Sequence, residues 1–134
     1  MISKTAPREI QDHYIEIEKH SNNNRLESIT VLDEYAAICI NGYHEKYFCG
    51  YTWFKTSEIP EDWLEYDNID YNLDIHGGLT YSTIVGDYVI YGFDCAHLDD
   101  ENNPNLRDET YVLELCRVMR SEILKAISER NKII

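Results

Sequence analysis

The chain has 134 residues, 43% of them apolar, enough for one core and therefore one domain. Twelve Lys and Arg stand against 25 Asp and Glu, and the net charge of −13 excludes a protein that grips nucleic-acid phosphates directly. No apolar run follows the opening MISKTAPREIQ, so neither a signal peptide nor a membrane span is expected, and a cytoplasmic protein with reduced thiols is.

In chain order, Pro7 to His20 places Ile10, Tyr14 and Ile17 at helical spacing, with Pro7 suited to a first turn. The alternation Tyr14-Ile15-Glu16-Ile17-Glu18 also permits a strand. Ser21 to Asn24 has the composition of a loop. The run from Ile29 to Ile40 is apolar and β-branched, broken by Asp33-Glu34. Its second half, Tyr35–Ile40, is expected to form a hairpin with Tyr47–Phe54 through a turn at Asn41-Gly42.

From Thr56 to Leu106 there is no Lys or Arg, while Glu58, Glu61, Asp62, Glu65, Asp67, Asp70 and Asp74 crowd the first half. The segment Ser57–Asn72 reads as an acidic, mostly solvated connection with room for a helical turn, with Trp63 and Leu64 as anchors. Leu73–Ile84 and Tyr88–Cys95 follow as two strands joined at Gly86-Asp87. After a polar loop from His97 to Asn105, Asn105 or Asp108 caps a helix running to about Arg130. Its apolar stripe is Val112, Leu115, Cys116, Met119, Ile123 and Ile127. The expected fold is α+β: an antiparallel sheet of about four strands, a C-terminal helix packed on one face, and a short N-terminal helix.

The stretch DIHGGLTYSTIVGDYVIYGFDCAHLDD, Asp74 to Asp100, concentrates the residues that carry chemistry. Pairing its two strands sets the start of the first beside the end of the second, bringing His76 near Asp94 and His97. Alternation puts Ile75, Gly77, Leu79 and Tyr81 on one face, with Val89, Tyr91 and Phe93 opposing Ile90, Gly92 and Asp94. Glycines Gly77, Gly78 and Gly92 leave room for a ligand or for another backbone. Tyr81, Tyr91 and Phe93 offer rings on which a base can stack, in a chain with eleven tyrosines.

Asp74, His76, Asp94, His97, Asp99 and Asp100 are also ligand types for a divalent metal that would activate water, without a diagnostic spacing. Cys95 with His76 or His97 would make a thiolate–imidazole pair, against the alternative of a buried, inert thiol. Cys39, Cys49, Cys95 and Cys116 form no CxxC pair, which argues against structural zinc.

The segments Cys49-Gly50-Tyr51, His76 to Tyr81, Gly92 to His97, Arg107-Asp108 and Tyr111-Val112 resemble the pattern CGYV, HGGLTY, WWxGFDCAHxGD, YRDxxYV of a family of small bacteriophage and prophage proteins. The resemblance spans roughly residues 35 to 127 and marks 29–130 as the core that carries the pattern, with 1–28 a variable N-terminal segment. Departures are Val89-Ile90 in place of the tryptophan pair, Leu98-Asp99-Asp100 after the last histidine, and Thr52-Trp53-Phe54-Lys55 after the first block.

The resemblance implies a phage-and-host setting in the host cytoplasm. The expected role is an anti-defence protein that sequesters a nucleotide-derived immune signal, without catalysis and with no obligatory cofactor. The expected ligand-binding residues are His76, Gly77, Gly78, Thr80, Tyr81, Tyr91, Phe93, Asp94, His97 and Arg107, the last as a phosphate contact. Two other readings stand beside it: a metal-assisted hydrolase of such a molecule, and an acidic inhibitor that binds a host defence protein through the Glu58–Asp74 surface. A homo-oligomer with the ligand at a subunit interface is compatible with the first.

Overall fold

The structure, a computed structural model, describes residues 1–20, 25–42, 46–69, 73, 75, 78–95 and 108–133. Helix α1 (Arg8–His20) precedes strands β1 (Leu26–Val31), β2 (Tyr35–Asn41) and β3 (Lys46–Lys55). Strands β4 (Tyr81–Val85) and β5 (Tyr88–Asp94) and helix α2 (Glu109–Ile133) follow. All five strands lie in one antiparallel sheet, in the order β1-β2-β3-β5-β4.

The sheet has one strand more than expected because the run from Ile29 to Ile40 is two strands. Asp33-Glu34 sit in the turn between them, which the Leu32 amide closes on the Tyr35 carbonyl at 2.9 Å. The β2–β3 hairpin forms as read, but Asn41 is itself a strand residue, paired with Lys46. The connection is therefore residues 42–45, and of the Asn-Gly pair only Gly42 belongs to it.

The sheet is covered on both faces. Val112, Cys116, Met119, Ile123 and Ala126 of α2 pack on Ala37, Cys39, Phe48, Phe54, Val89, Tyr91 and Phe93. On the other face Ala6, and Ile10 and Tyr14 of α1, pack on Ile29, Val31, Ala36, Ile38, Trp53 and Ile90. Each large apolar side chain so buried contributes roughly 1.5–3 kcal/mol, and the helical spacing of Ile10 and Tyr14 decides α1 against a strand. The alternation read along β5 is observed: Val89, Tyr91 and Phe93 face α2, and Ile90 faces α1.

Helix α2 comes close to the sheet at Gly50, where a Cβ would stand 2.5 Å from Phe93 Cε1 and 2.6 Å from Cys116 Sγ. Asp108 caps α2: its Oδ1 accepts the Thr110 amide at 3.0 Å and its carbonyl the Val112 amide at 3.0 Å. Asn105, the other candidate cap, lies outside the described residues.

The acidic connection is more than a solvated link. It makes three 3₁₀ turns, Thr56–Glu58, Glu61–Leu64 and Tyr66–Asn68, and its Ile59 and Trp63 are buried in the α2-side core with Leu64, Tyr66 and Ile69 packed against it. The Tyr91 hydroxyl donates to the Trp63 carbonyl at 2.7 Å. From α2, Arg130 lies over the Trp63 ring, 4.8 Å from its centroid, and forks onto Asp62 at 2.9 and 3.1 Å. Glu58, Glu61, Asp62, Glu65 and Asp67 point outward. The anchoring by Trp63 and Leu64 is as read; the extent of the packing is not.

Among the described residues, the strand expected over Leu73–Ile84 is β4 alone. Gly78 adopts φ +76°, in the left-handed region open to glycine, and its amide closes a turn on the Ile75 carbonyl at 2.9 Å. This breaks the alternation: Leu79 packs toward α2, whereas Tyr81 stands against Tyr51 on the opposite face. The β4–β5 turn falls at Gly86-Asp87 as read, with Gly86 at φ +57°.

Candidate functional site

At the end of the sheet where β3, β5 and the entry to β4 meet, a concavity of about 270 Å³ is lined by Tyr47, Cys49, Tyr51, Thr80, Tyr81, Phe93 and Asp94. The strand period places Tyr47, Cys49 and Tyr51 on one face of β3. Register does the rest. Cys49 is opposite Asp94, and Tyr51 and Tyr81 are both opposite Gly92, one on each side of β5. The Thr80 amide donates to the Gly92 carbonyl at 2.9 Å, which ties the start of β4 to this end of β5.

Gly92 is the pivot of the arrangement. A Cβ there would stand 2.7 Å from Tyr51 Cδ1 and 2.8 Å from Cε1, so the Tyr51 ring lies across the bare glycine and meets Tyr81 edge-on at 5.7 Å and 82°. The sequence reading expects Gly92 to leave room for a ligand or another backbone; the room directly over it is taken by the Tyr51 side chain. Behind it, Tyr14 of α1 packs 6.0 Å from the Tyr51 ring centroid, and its buried hydroxyl has no hydrogen-bond partner among the described residues.

The site is polar but carries protonated groups. Burial pushes the Cys49 thiol up to about 11, against a smaller opposing effect of its hydrogen bond with Tyr51. Burial also lifts the Tyr51 phenol well above its ordinary value of 10.0, helped by Cys49, Tyr81 and Tyr47 nearby. At neutral pH both are uncharged, and the Tyr51 hydroxyl can donate. Among the described lining residues Asp94 is the one carboxylate. The arrangement is suited to holding aromatic and hydroxyl-bearing groups, and a thiol held near 11 is a poor nucleophile at pH 7.

Of the residues singled out in the sequence, Thr80, Tyr81, Phe93 and Asp94 meet here. Gly78 lies in the preceding turn, with open space where its Cβ would be. Tyr91 is elsewhere: buried on the α2 face and bonded to Trp63. His76, Gly77, His97 and Arg107 lie outside the described residues, as do Asp74, Asp99 and Asp100 of the metal reading; among the described residues no group of three metal-ligating side chains converges. Cys95 is buried in the core, in keeping with an inert thiol.

Tyr47, Cys49 and Tyr51 are the lining residues that the sequence reading passed over. The signal was present as polar-tipped side chains at every second position of Tyr47-Phe48-Cys49-Gly50-Tyr51. No described helix is long and apolar enough to cross a membrane. Compared with protein-family models, with curated proteins and with solved structures, the chain matches none.

Proposed function

We propose that the protein binds a nucleotide-derived signal in the tyrosine-lined concavity and withholds it from a host defence system, acting in the host cytoplasm as a phage-encoded, non-catalytic protein. The observation that carries the binding step is the row Tyr51–Gly92–Tyr81 beside Asp94: aromatic rings, protonated donors and one carboxylate around a space of about 270 Å³. Rings at a sheet end take a flat base, and a carboxylate accepts hydrogen bonds from ribose hydroxyls. Among the described residues the formal charge in the lining is the negative one of Asp94, which favours entry of the uncharged nucleoside end with the phosphates outside. The volume is near the lower limit of small-molecule sites, which suits one nucleoside unit. The phage setting rests on the HGGLTY and GFDCAH segments and their resemblance to phage proteins.

The test is incubation with a panel of cyclic dinucleotides and ADP-ribose-type molecules, followed by heat denaturation and mass analysis of what is released. Depletion with intact release is expected, and Tyr51→Phe and Asp94→Asn should each weaken retention by about tenfold, one hydrogen bond's worth. Release of fragments would replace binding by hydrolysis, and no depletion from any panel member would end the small-ligand reading.

A second reading draws on a different observation, the five outward carboxylates held on a strap that Trp63 and Arg130 fix to α2. Such a ridge suits a basic groove on a host protein. Binding would then fall steeply with salt and be indifferent to Tyr51→Phe.

A further inference from the structure

The two edges of the sheet are treated differently. Along β1, the chain's own first residues complete the edge: Ile2 pairs in parallel with Val31, the Met1 ammonium donates to the Ile29 carbonyl at 2.6 Å, the Val31 amide donates to Met1 at 2.8 Å and the Ser3 amide to Val31 at 2.8 Å. A register irregularity between Leu26 and Ser28 disturbs the rest of that edge. The opposite edge is β4, paired only with β5, and among the described residues no backbone hydrogen bond reaches its outer side. An open strand edge is a row of donors and acceptors that another strand completes. The safeguards a strand carries in its own sequence are missing from it: β4 is Tyr-Ser-Thr-Ile-Val, with no Lys, no Pro, no charge and no bulge, and the strap touches it through a side chain, the Tyr66 amide donating to the Ser82 hydroxyl at 3.1 Å.

We infer that β4 is a self-association edge, and that two copies of this chain pair antiparallel along Tyr81–Val85 about a two-fold axis at Thr83. Three observations select a second copy as the occupant. The chain carries −13, yet no charged residue lies between Gly78 and Gly86, so pairing two copies of this strand sets no like charges opposite one another. The strand is self-complementary: about Thr83, Tyr81 stands opposite the second copy's valine at 85, an aromatic–β-branched pair, and Ile84 opposite its serine at 82. Ile84 is 55% exposed and Tyr81 38% exposed, among the largest exposures of apolar side chains in the molecule, and both are on this one strand. Pairing makes a continuous sheet through both molecules. It also brings two concavities to the seam, since Tyr81 belongs to both the edge and the cavity lining.

Such a seam is small, so an affinity in the micromolar range is expected and the assay must reach about 100 μM. Sedimentation equilibrium of the full chain should show dimer mass at that concentration, and Ile84→Lys, which sets a charge on the edge, should give monomer with an unchanged circular dichroism spectrum. Should Ile84→Lys fail to fold, Thr83→Cys decides: under mild oxidation it should form an intermolecular disulfide that Lys55→Cys, on exposed β3 surface, does not. Wild-type monomer throughout, a dimer indifferent to Ile84→Lys, or equal cross-linking of the two cysteine variants would each overturn the inference. None of these readings involves a ligand, so failure of the edge and failure of ligand binding are distinguishable.

Discussion

Two glycines separate packing from binding. At Gly50 an added methyl meets Phe93 and Cys116 in the α2-side core, whereas at Gly92 it meets the Tyr51 ring on the cavity side. Gly50→Ala should therefore cost about 1–3 kcal/mol by overpacking, read by urea denaturation, and weaken ligand retention in the folded fraction less than Gly92→Ala does, since it reaches the concavity only through Phe93. Gly92→Ala should weaken retention by about tenfold, because the added methyl displaces the Tyr51 ring and crowds the Gly50 carbonyl oxygen 3.1 Å away. Equal effects of the two on retention would mean that the Tyr51–Gly92–Tyr81 row is not the binding element. At this scale the sequence was half legible. That Gly92 makes space follows from its lack of a side chain, but what fills that space depends on β3 lying beside β5, a pairing some 40 residues apart in the chain. Tyr91 illustrates the same limit from the other side: its aromatic face was visible in the sequence, while the partner that takes its hydroxyl, the Trp63 carbonyl, is set by the path of the intervening segment.

The elements were legible where a local pattern suffices. α2 shows its 3.6-residue stripe and an Asp cap, β5 its alternation, and the β4–β5 turn its Gly-Asp. In the acidic connection the helical turn and the Trp63 and Leu64 anchors were legible, but not the extent of its packing, because charges dominate its composition and the packing depends on a few apolar residues at irregular spacing. That packing has a measurable weight. Trp63→Ala should destabilise the protein by about 3–5 kcal/mol, through lost burial and the cavity left behind. Arg130→Met should cost far less, since it keeps an apolar stem over Trp63 and gives up an ion pair whose Asp62 partner is in solvent. Thermal denaturation of the two variants provides the comparison, and a small loss in Trp63→Ala would mean that the strap contributes little to the core.

For the whole molecule, charge and topology set the behaviour. With 25 acidic against 12 basic residues, self-repulsion opposes compaction more than the exposed ion pairs, such as Lys46–Glu27, assist it. Raising ionic strength from 0.01 to 0.15 M shortens the screening length from about 30 to about 8 Å. It should raise the melting temperature; a fall would show that exposed ion pairs outweigh repulsion. The α+β class was legible at this scale, from an apolar helix following hairpins. The place of β5 between β3 and β4, and the use of α1 to cover the second face, were not, since both are long-range choices that local pattern does not encode.

The two tryptophans of the chain stand on opposite sides of the sheet, Trp53 against Tyr14 under α1 and Trp63 under α2, both almost wholly buried. The protein thus contains a natural fluorophore for each layer. Replacing either indole by phenylalanine leaves an emission signal that reports on one helix–sheet contact alone, so that the unfolding of the two layers can be followed separately and their cooperativity judged without any attached label.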